Sequence, residues 1–303
     1  MATITNNNEH VTRASILKKY KKKTPMQEIM ARFFRNRLAI IGLVLFSIVL
    51  IFACLSEVLR PYDLYAVKMN IKDRLQHPNA TYWFGTDEAG RDVFARIIHG
   101  ARISLTIAFV STAFAVITGG IIGAVSGYFG GWLDNVIMRV MDVFMCLPNI
   151  LLAMAIVAAF GSNIPNLIIA MSISKVPGFS RTVRSAVMTV RGQEYVEAAR
   201  AIGMPVGKII ASHMVPNASG PIIVSATSMF ATSLLGVSSL SFLGLGVNPP
   251  TPEWGNMLSS GRLNMRDHPH LVLAPGLAVF VTIFALNCLG DGLRDALDPK
   301  LKK

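Results

Sequence analysis

Charge is scarce in this sequence. Only 15% of its 303 residues are Asp, Glu, Lys or Arg, whereas soluble globular domains carry about 25%. The apolar fraction is 52% and the mean hydropathy +0.49. That excludes intrinsic disorder, which needs a chain with too little apolar surface to collapse. Cysteine is scarcer still, with three residues. Cys54, Cys146 and Cys288 all fall in apolar runs, where a thiol behaves as a small hydrophobe, so a disulfide-stapled secreted module is excluded. Acidic residues number 17 against 29 basic ones, a formal net charge of +12. A deficit of this kind points to a membrane.

What is present is apolar length. A helix needs about 20 residues to cross some 30 Å of hydrocarbon. Leu38–Ser56, Ile103–Gly131, Val143–Ser174, Gly220–Val247 and Leu271–Gly290 carry no charge. Gly161-Ser162-Asn163 and Pro165 divide the third run, predicting one helix over Val143–Phe160 and another from Ile164 toward Phe179. Open sheet edges cannot be satisfied in lipid. The expectation is therefore an all-α integral membrane protein with six transmembrane helices. With an even number, both termini share a side. Nineteen of the 29 Lys and Arg then lie in one set of loops and tails, nine in the other, and Lys175 within a span, which predicts cytoplasmic termini.

The segments that follow are a basic cytoplasmic N-terminal stretch (1–37), a first anchor helix (38–56), an extracytoplasmic loop (57–102), a transmembrane core (103–290) and a cytoplasmic tail (291–303). The first span is preceded by too long a segment for a cleaved signal peptide. Beside it, the Lys18–Lys23 cluster reads as topology and contact with anionic lipid, not nucleic acid.

The spans lack paired carboxylates, which excludes a proton or sodium relay. Gly119, Gly123, Gly127 and Gly131 recur every four residues on one helical stripe, where another helix can approach closely. Pro148 and Pro275 predict kinks. Asp142 and Lys175 read as snorkelling span-end residues. Asn149, Ser228, Thr232 and Asn287 suit a weakly polar translocation path or interhelical hydrogen bonds. Outside, Thr86 with Asp87 and Glu88 reads as a helix start. Val93, Phe94, Ile97, Ile98 and Ala101, opposed by Arg91, Asp92, Arg96 and His99, predict an amphipathic helix running along the outer surface into the second span. His268 and His270 flank a proline without acid or thiol company, so no metal site is expected.

The inner connection 181–219 is the most structured loop. Gln193–Ile202 is rich in helix formers, Gly203 suits a left-handed stop, Pro205 can open a second helix, and Pro216 follows its end. Ala198, Ala199 and Ala201 would let a partner approach, while Glu194, Glu197 and Arg200 offer charged contacts. Gly203–Lys208 is no phosphate loop: three residues separate its glycines instead of four, and Ile209 follows the lysine.

Glu197-Ala198-Ala199, Gly203 after three intervening residues and Pro216 thirteen positions later resemble the EAA signature of bacterial ABC importer permeases. His213 and Val215 stand where that signature usually has Ile and Leu. The stretches Trp83–Phe94, Leu240–Gly246, Pro249–Gly255 and Gly290–Pro299 are similar to the C-type permease subunit of dipeptide, oligopeptide and nickel importers. The resemblance runs over residues 30–300. It implies a type I ABC importer permease-like core in the bacterial inner membrane, with the EAA loop as a cytoplasmic coupling helix and Glu197 at the ATPase groove. It also implies a B-type permease partner, two cytoplasmic ATPases that hold ATP and Mg, and an extracytoplasmic binding protein. On this resemblance the chain is non-catalytic and binds no cofactor. Its cargo would be di- or oligopeptides, with nickel or another small solute as the alternative. A secondary transporter or a membrane enzyme would need mid-membrane carboxylates or convergent catalytic groups.

Overall fold

The computed structural model describes residues 25–297. Among them every extended element is a helix, and β structure is limited to one isolated bridge between Thr86 and Asp92. Helix α1 (Pro25–Phe33) leads into α2 (Arg37–Cys54), whose first turn is capped by Asn36, the side chain accepting from Leu38 and Ala39 N–H. Short turns then carry the chain across one end of the bundle to α3 (Val93–Phe129), a single rod of 37 residues, about 55 Å long. The expected surface helix does run into the second span as one element. Its polar residues are also not solvated: Arg91, Asp92, Arg96 and His99 are all buried.

Helix α4 (Gly131–Met145) and helix α5 (Asn149–Phe160) meet at 79°. This corrects the single helix expected over Val143–Phe160. Pro148 has no N–H to continue the ladder and takes an extended ψ of 135°, so the helix breaks where a kink was expected. Helix α6 (Ile164–Val190) is capped by Asn163 and continues past Phe179 through Pro177. Helix α7 (Glu194–Ala201) occupies the inner connection. Helix α8 (Ser219–Phe242) stops short of Val247 at Gly244, whose φ is +86°. Helix α9 (Trp254–Gly261) precedes α10 (His270–Leu297), which contains Pro275 and runs seven residues past Gly290.

By length and composition, α2, α3, α8 and α10 could cross a membrane, with α4 and α5 as a fifth, broken span. Helix α6 is about 40 Å long, but Lys175, Arg181 and Arg184 leave it an uncharged stretch of only about half the apolar length a span requires. By length and composition, four or five apolar spans thus qualify among the described residues, and α6 is the expected span that does not.

Helix α3 is the axle. Gly119, Gly123 and Gly127 turn toward α6, and a Cβ on Gly123 would lie 2.2 Å from the Ser180 carbonyl oxygen. The N-terminal half of α3 packs against α8, α9 and α10 through Val93, Ile97, Leu105, Leu234, Trp254 and Leu271. Its C-terminal end packs against Val183, Val187 and the 181–219 connection. Away from these seams, Ile117 and Ile121 on α3 are each 61% exposed, as suits a surface meeting hydrocarbon.

Candidate functional site

The inner connection is built to hold one short helix in a fixed pose. Glu194 and Glu197 occupy the first turn of α7 and Arg200 the last, each matching the helix dipole. At the end, Gly203 takes φ +73°. Its N–H donates to Arg200 O at 3.0 Å, and Met204 N–H donates to Ala199 O at 3.1 Å. This is a Schellman stop, which glycine supplies without a Cβ clash. Beyond it, Val206–Ile209 widens into a π turn over Ile210–Met214, closed by Val215 N–H on Ile210 O. Pro216 sits exposed in the first turn of Val215–Asn217, where its missing N–H is tolerated.

The two faces of α7 differ. Val196 and Ala199 are buried with Tyr128, Ile209 and Met214, and the Arg200 guanidinium lies 4.9 Å from the Tyr128 ring centroid, a cation–π contact. Glu194, Glu197, Ala198 and Ala201 are exposed. The three alanines therefore do not share a face: Ala199 belongs to the chain's own core. Tyr195 and Ile202, neither of them part of the EAA signature, are 37% and 76% exposed. With Ala198 they fall at i, i+3 and i+7, a spacing that marks one helical stripe.

Ion pairs fasten the helices that enter this loop. Asp134 at the start of α4 accepts from Arg184 of α6 through both oxygens, each at 2.5 Å, and is also bonded by Ser126 of α3. Asp142 pairs with Arg181, and Arg191 donates to Phe129 O at 3.2 Å. Asp142 is thus an interhelical partner, not a snorkelling span end. Lys175 likewise reaches across to Thr232 of α8, Nζ to Oγ1 at 3.2 Å. Ser228 and Thr232 are exposed on α8, Asn287 on α10 and Asn149 at the start of α5. Ser228 also faces α10: its hydroxyl lies 3.8 Å from the position a Cβ on Gly290 would take.

The opposite end is a polar cap on α3. Asp92 caps that helix, accepting from Phe94 N–H at 2.9 Å, and lies 3.4 Å from Arg60. Burial pushes its carboxyl above the ordinary range, with Arg60 opposing. Arg96 Nη1 donates to Ala66 O at 2.9 Å and Pro250 O at 3.1 Å, while its Nε lies 3.4 Å from Asp87. Glu253, wholly buried, accepts from Ser104 Oγ, Gly255 N–H and Asn256 N–H at 2.9–3.0 Å. Burial raises its carboxyl too, against those hydrogen bonds. Trp254 Nε1 donates to Ile97 O at 2.9 Å. Thr86 does not start a helix; it accepts from Gln76 N–H and donates to Asp73 O, while Asp87 accepts from Ala89 and Arg91 N–H to form a turn.

Comparisons with known proteins agree with this geometry. Residues 117–303 match the family of binding-protein-dependent transport system inner membrane components, and residues 24–78 match the N-terminal TM domain of oligopeptide transport permease C. The chain is 44% identical to the dipeptide transport system permease protein DppC of Alkalihalophilus pseudofirmus, covering 93% of this chain and 92% of that one. It is 41% identical to the glutathione transport system permease protein GsiD of Pectobacterium atrosepticum, covering 92% and 93% respectively. Among solved structures, the MetNI methionine ABC transporter in its inward-facing conformations matches with TM-score 0.56 at 17% identity, covering 67% of this chain and 96% of that one. The fold is thus that of a type I ABC importer permease. The chain belongs to the inner-membrane permeases of binding-protein-dependent ABC transport systems, and within them to the C-type permeases that carry the oligopeptide-permease-C N-terminal domain.

Proposed function

We propose that this permease forms half of the pathway of a di- or oligopeptide importer and that α7 is the lever by which its ATPase moves it. One observation carries the second part. Helix α7 is fixed to the transmembrane bundle by Val196, Ala199 and the Arg200–Tyr128 contact, while Glu194, Tyr195, Glu197, Ala198 and Ile202 face outward. A partner gripping the outward face would move α3 and α6 with it as a rigid body.

In this reading residues 103–290 are the core, six spans place both termini in the cytoplasm, and α6 is the sixth span. Its charges suit that position because Lys175 is directed at Thr232 and Arg184 at Asp134. The second half of the pathway is a B-type permease. Two ATPases carry ATP and Mg, and an extracytoplasmic binding protein delivers the solute. Asn149, Ser228, Thr232 and Asn287 are the polar groups proposed to meet it. The peptide cargo is supported by relatives named for dipeptide and glutathione transport.

The test is uptake of labelled dipeptides by vesicles holding the assembled importer and its binding protein. ATP-dependent dipeptide uptake is expected. A binding protein that holds nickel but no di- or oligopeptide would overturn the cargo.

A further inference from the structure

At the outer face, the fold gathers three histidines that the sequence separates. His268 and His270 flank Pro269 at the start of α10, and His77 comes from the loop below the outer cap. The ring centroids of His77 lie 4.8 Å from His268 and 5.5 Å from His270, and those of His268 and His270 are 5.7 Å apart. One nitrogen from each ring can be chosen so that all three lie within 4.8 Å of one another. Around a tetrahedral ion with metal–nitrogen bonds of about 2.05 Å, ligand nitrogens stand about 3.3 Å apart. The rings need close by no more than about 1.5 Å at the widest pair, and His77 is exposed.

One further observation points to a ligand. His268 Nδ1 is buried with no hydrogen-bond partner, and His270 Nε2 is buried with none in hydrogen-bonding geometry, the Gln76 backbone lying nearest, a condition native structures rarely leave unexplained except by water or an ion. The backbone around them is also held. Gln76 N–H donates to Thr86 Oγ1 at 2.8 Å, Asn79 Nδ2 donates to His77 O at 3.2 Å, and His268 N–H donates to Asn264 O at 2.8 Å. Gly85, at φ +73°, leaves room for the His270 ring, since a Cβ there would lie 2.8 Å from Nε2.

We propose that His77, His268 and His270 form a divalent transition-metal site of the zinc-binding class, which ties the loop carrying His77 to the first turn of α10. Three imidazoles suit zinc and leave a fourth position open toward solvent beside His77. The ion is a resident staple, not cargo. The site uses only this chain's side chains and is independent of the peptide reading.

The test is calorimetric titration of zinc into the intact importer, purified on a non-histidine tag and stripped with chelator. One zinc ion per copy of this chain is expected. His77→Ala removes an exposed ligand without disturbing the core and should weaken binding at least about tenfold, since even loss of an outer-shell partner costs 10–100-fold. His268→Ala and His270→Ala should do the same, and the ion should stay bound through repeated ATP turnover. Absence of zinc binding, equal binding by His77→Ala, or release of the ion with each turnover would each overturn the proposal.

Discussion

The outer cap and the inner connection are both built on α3, and they treat charge in opposite ways. In the cap, Arg96 and Glu253 are each no more than 3% exposed and spend their polar atoms on this chain's own backbone and side chains. In the inner loop, Val196 and Ala199 make the attachment while Glu194 and Glu197 remain in water. Buried, satisfied charge fixes a unique arrangement at a cost in desolvation. Solvated charge costs little and stays available to a partner. The cap is therefore finished within one chain, whereas the loop has a finished inner face and an open outer one.

The contrast can be broken hardest in the cap. Glu253→Ala leaves the Gly255 and Asn256 N–H groups and the Ser104 hydroxyl without their acceptor, at about 1–3 kcal/mol for each buried group. We expect most folded protein to be lost, measured as monodisperse yield in detergent. A variant that melts with the parent would show that the cap does not depend on its buried acid. Next in size is a neighbouring pair in α7. Ala199→Leu overpacks the core and should cost about 1–3 kcal/mol. Ala198→Leu, on the exposed face, should change stability by less than about 0.5 kcal/mol and yet reduce the ATPase that co-purifies. Equal thermal shifts for the two would erase the distinction between the faces. Smaller still is Glu197→Lys, expected to leave melting unchanged while weakening ATPase retention in a salt-dependent way.

The smallest effect is one of pH. Burial raises the Glu253 carboxyl above its ordinary value of 4.5. Its folded pKa therefore exceeds its unfolded one. The fold pays nothing for this group below about pH 4.5, and an ionisation penalty grows above that value until the folded pKa is passed. Glu253→Gln lacks that penalty, so its deficit in melting temperature should narrow as pH rises through this window. A constant difference would mean that burial does not govern the group.

The sequence made legible whatever depends on neighbours along the chain. Uncharged runs located most of the helices, the four-residue glycine spacing predicted a close helix seam, and Gly203 with its flanking residues outlined the stop of α7. It hid what depends on distant partners. Arg91, Asp92, Arg96 and His99 read as a wet helix face because Ala66 and Pro250, whose carbonyls accept from Arg96, lie far away in the chain. Arg181 and Arg184 looked like loop charges until α4 brought Asp142 and Asp134 beside them. Ala199 was grouped with Ala198 because composition alone cannot say which way a short helix faces. Pro148 announced a disturbance but not its 79° size.

The central claim is that the inner connection moves the bundle, and Gly203 is where it can be tested with least collateral damage. Nothing lies within 4 Å of a Cβ placed there, but its φ of +73° is hostile to a β-branched residue. Gly203→Val should cost about 1–3 kcal/mol locally, enough to unseat α7 without unfolding the spans. The measurement is ATP-driven uptake by vesicles matched for the amount of inserted permease. The account predicts normal insertion with uptake lowered about fivefold or more, the shift in the population of seated α7 that such a cost produces. Uptake equal to the parent's would contradict it.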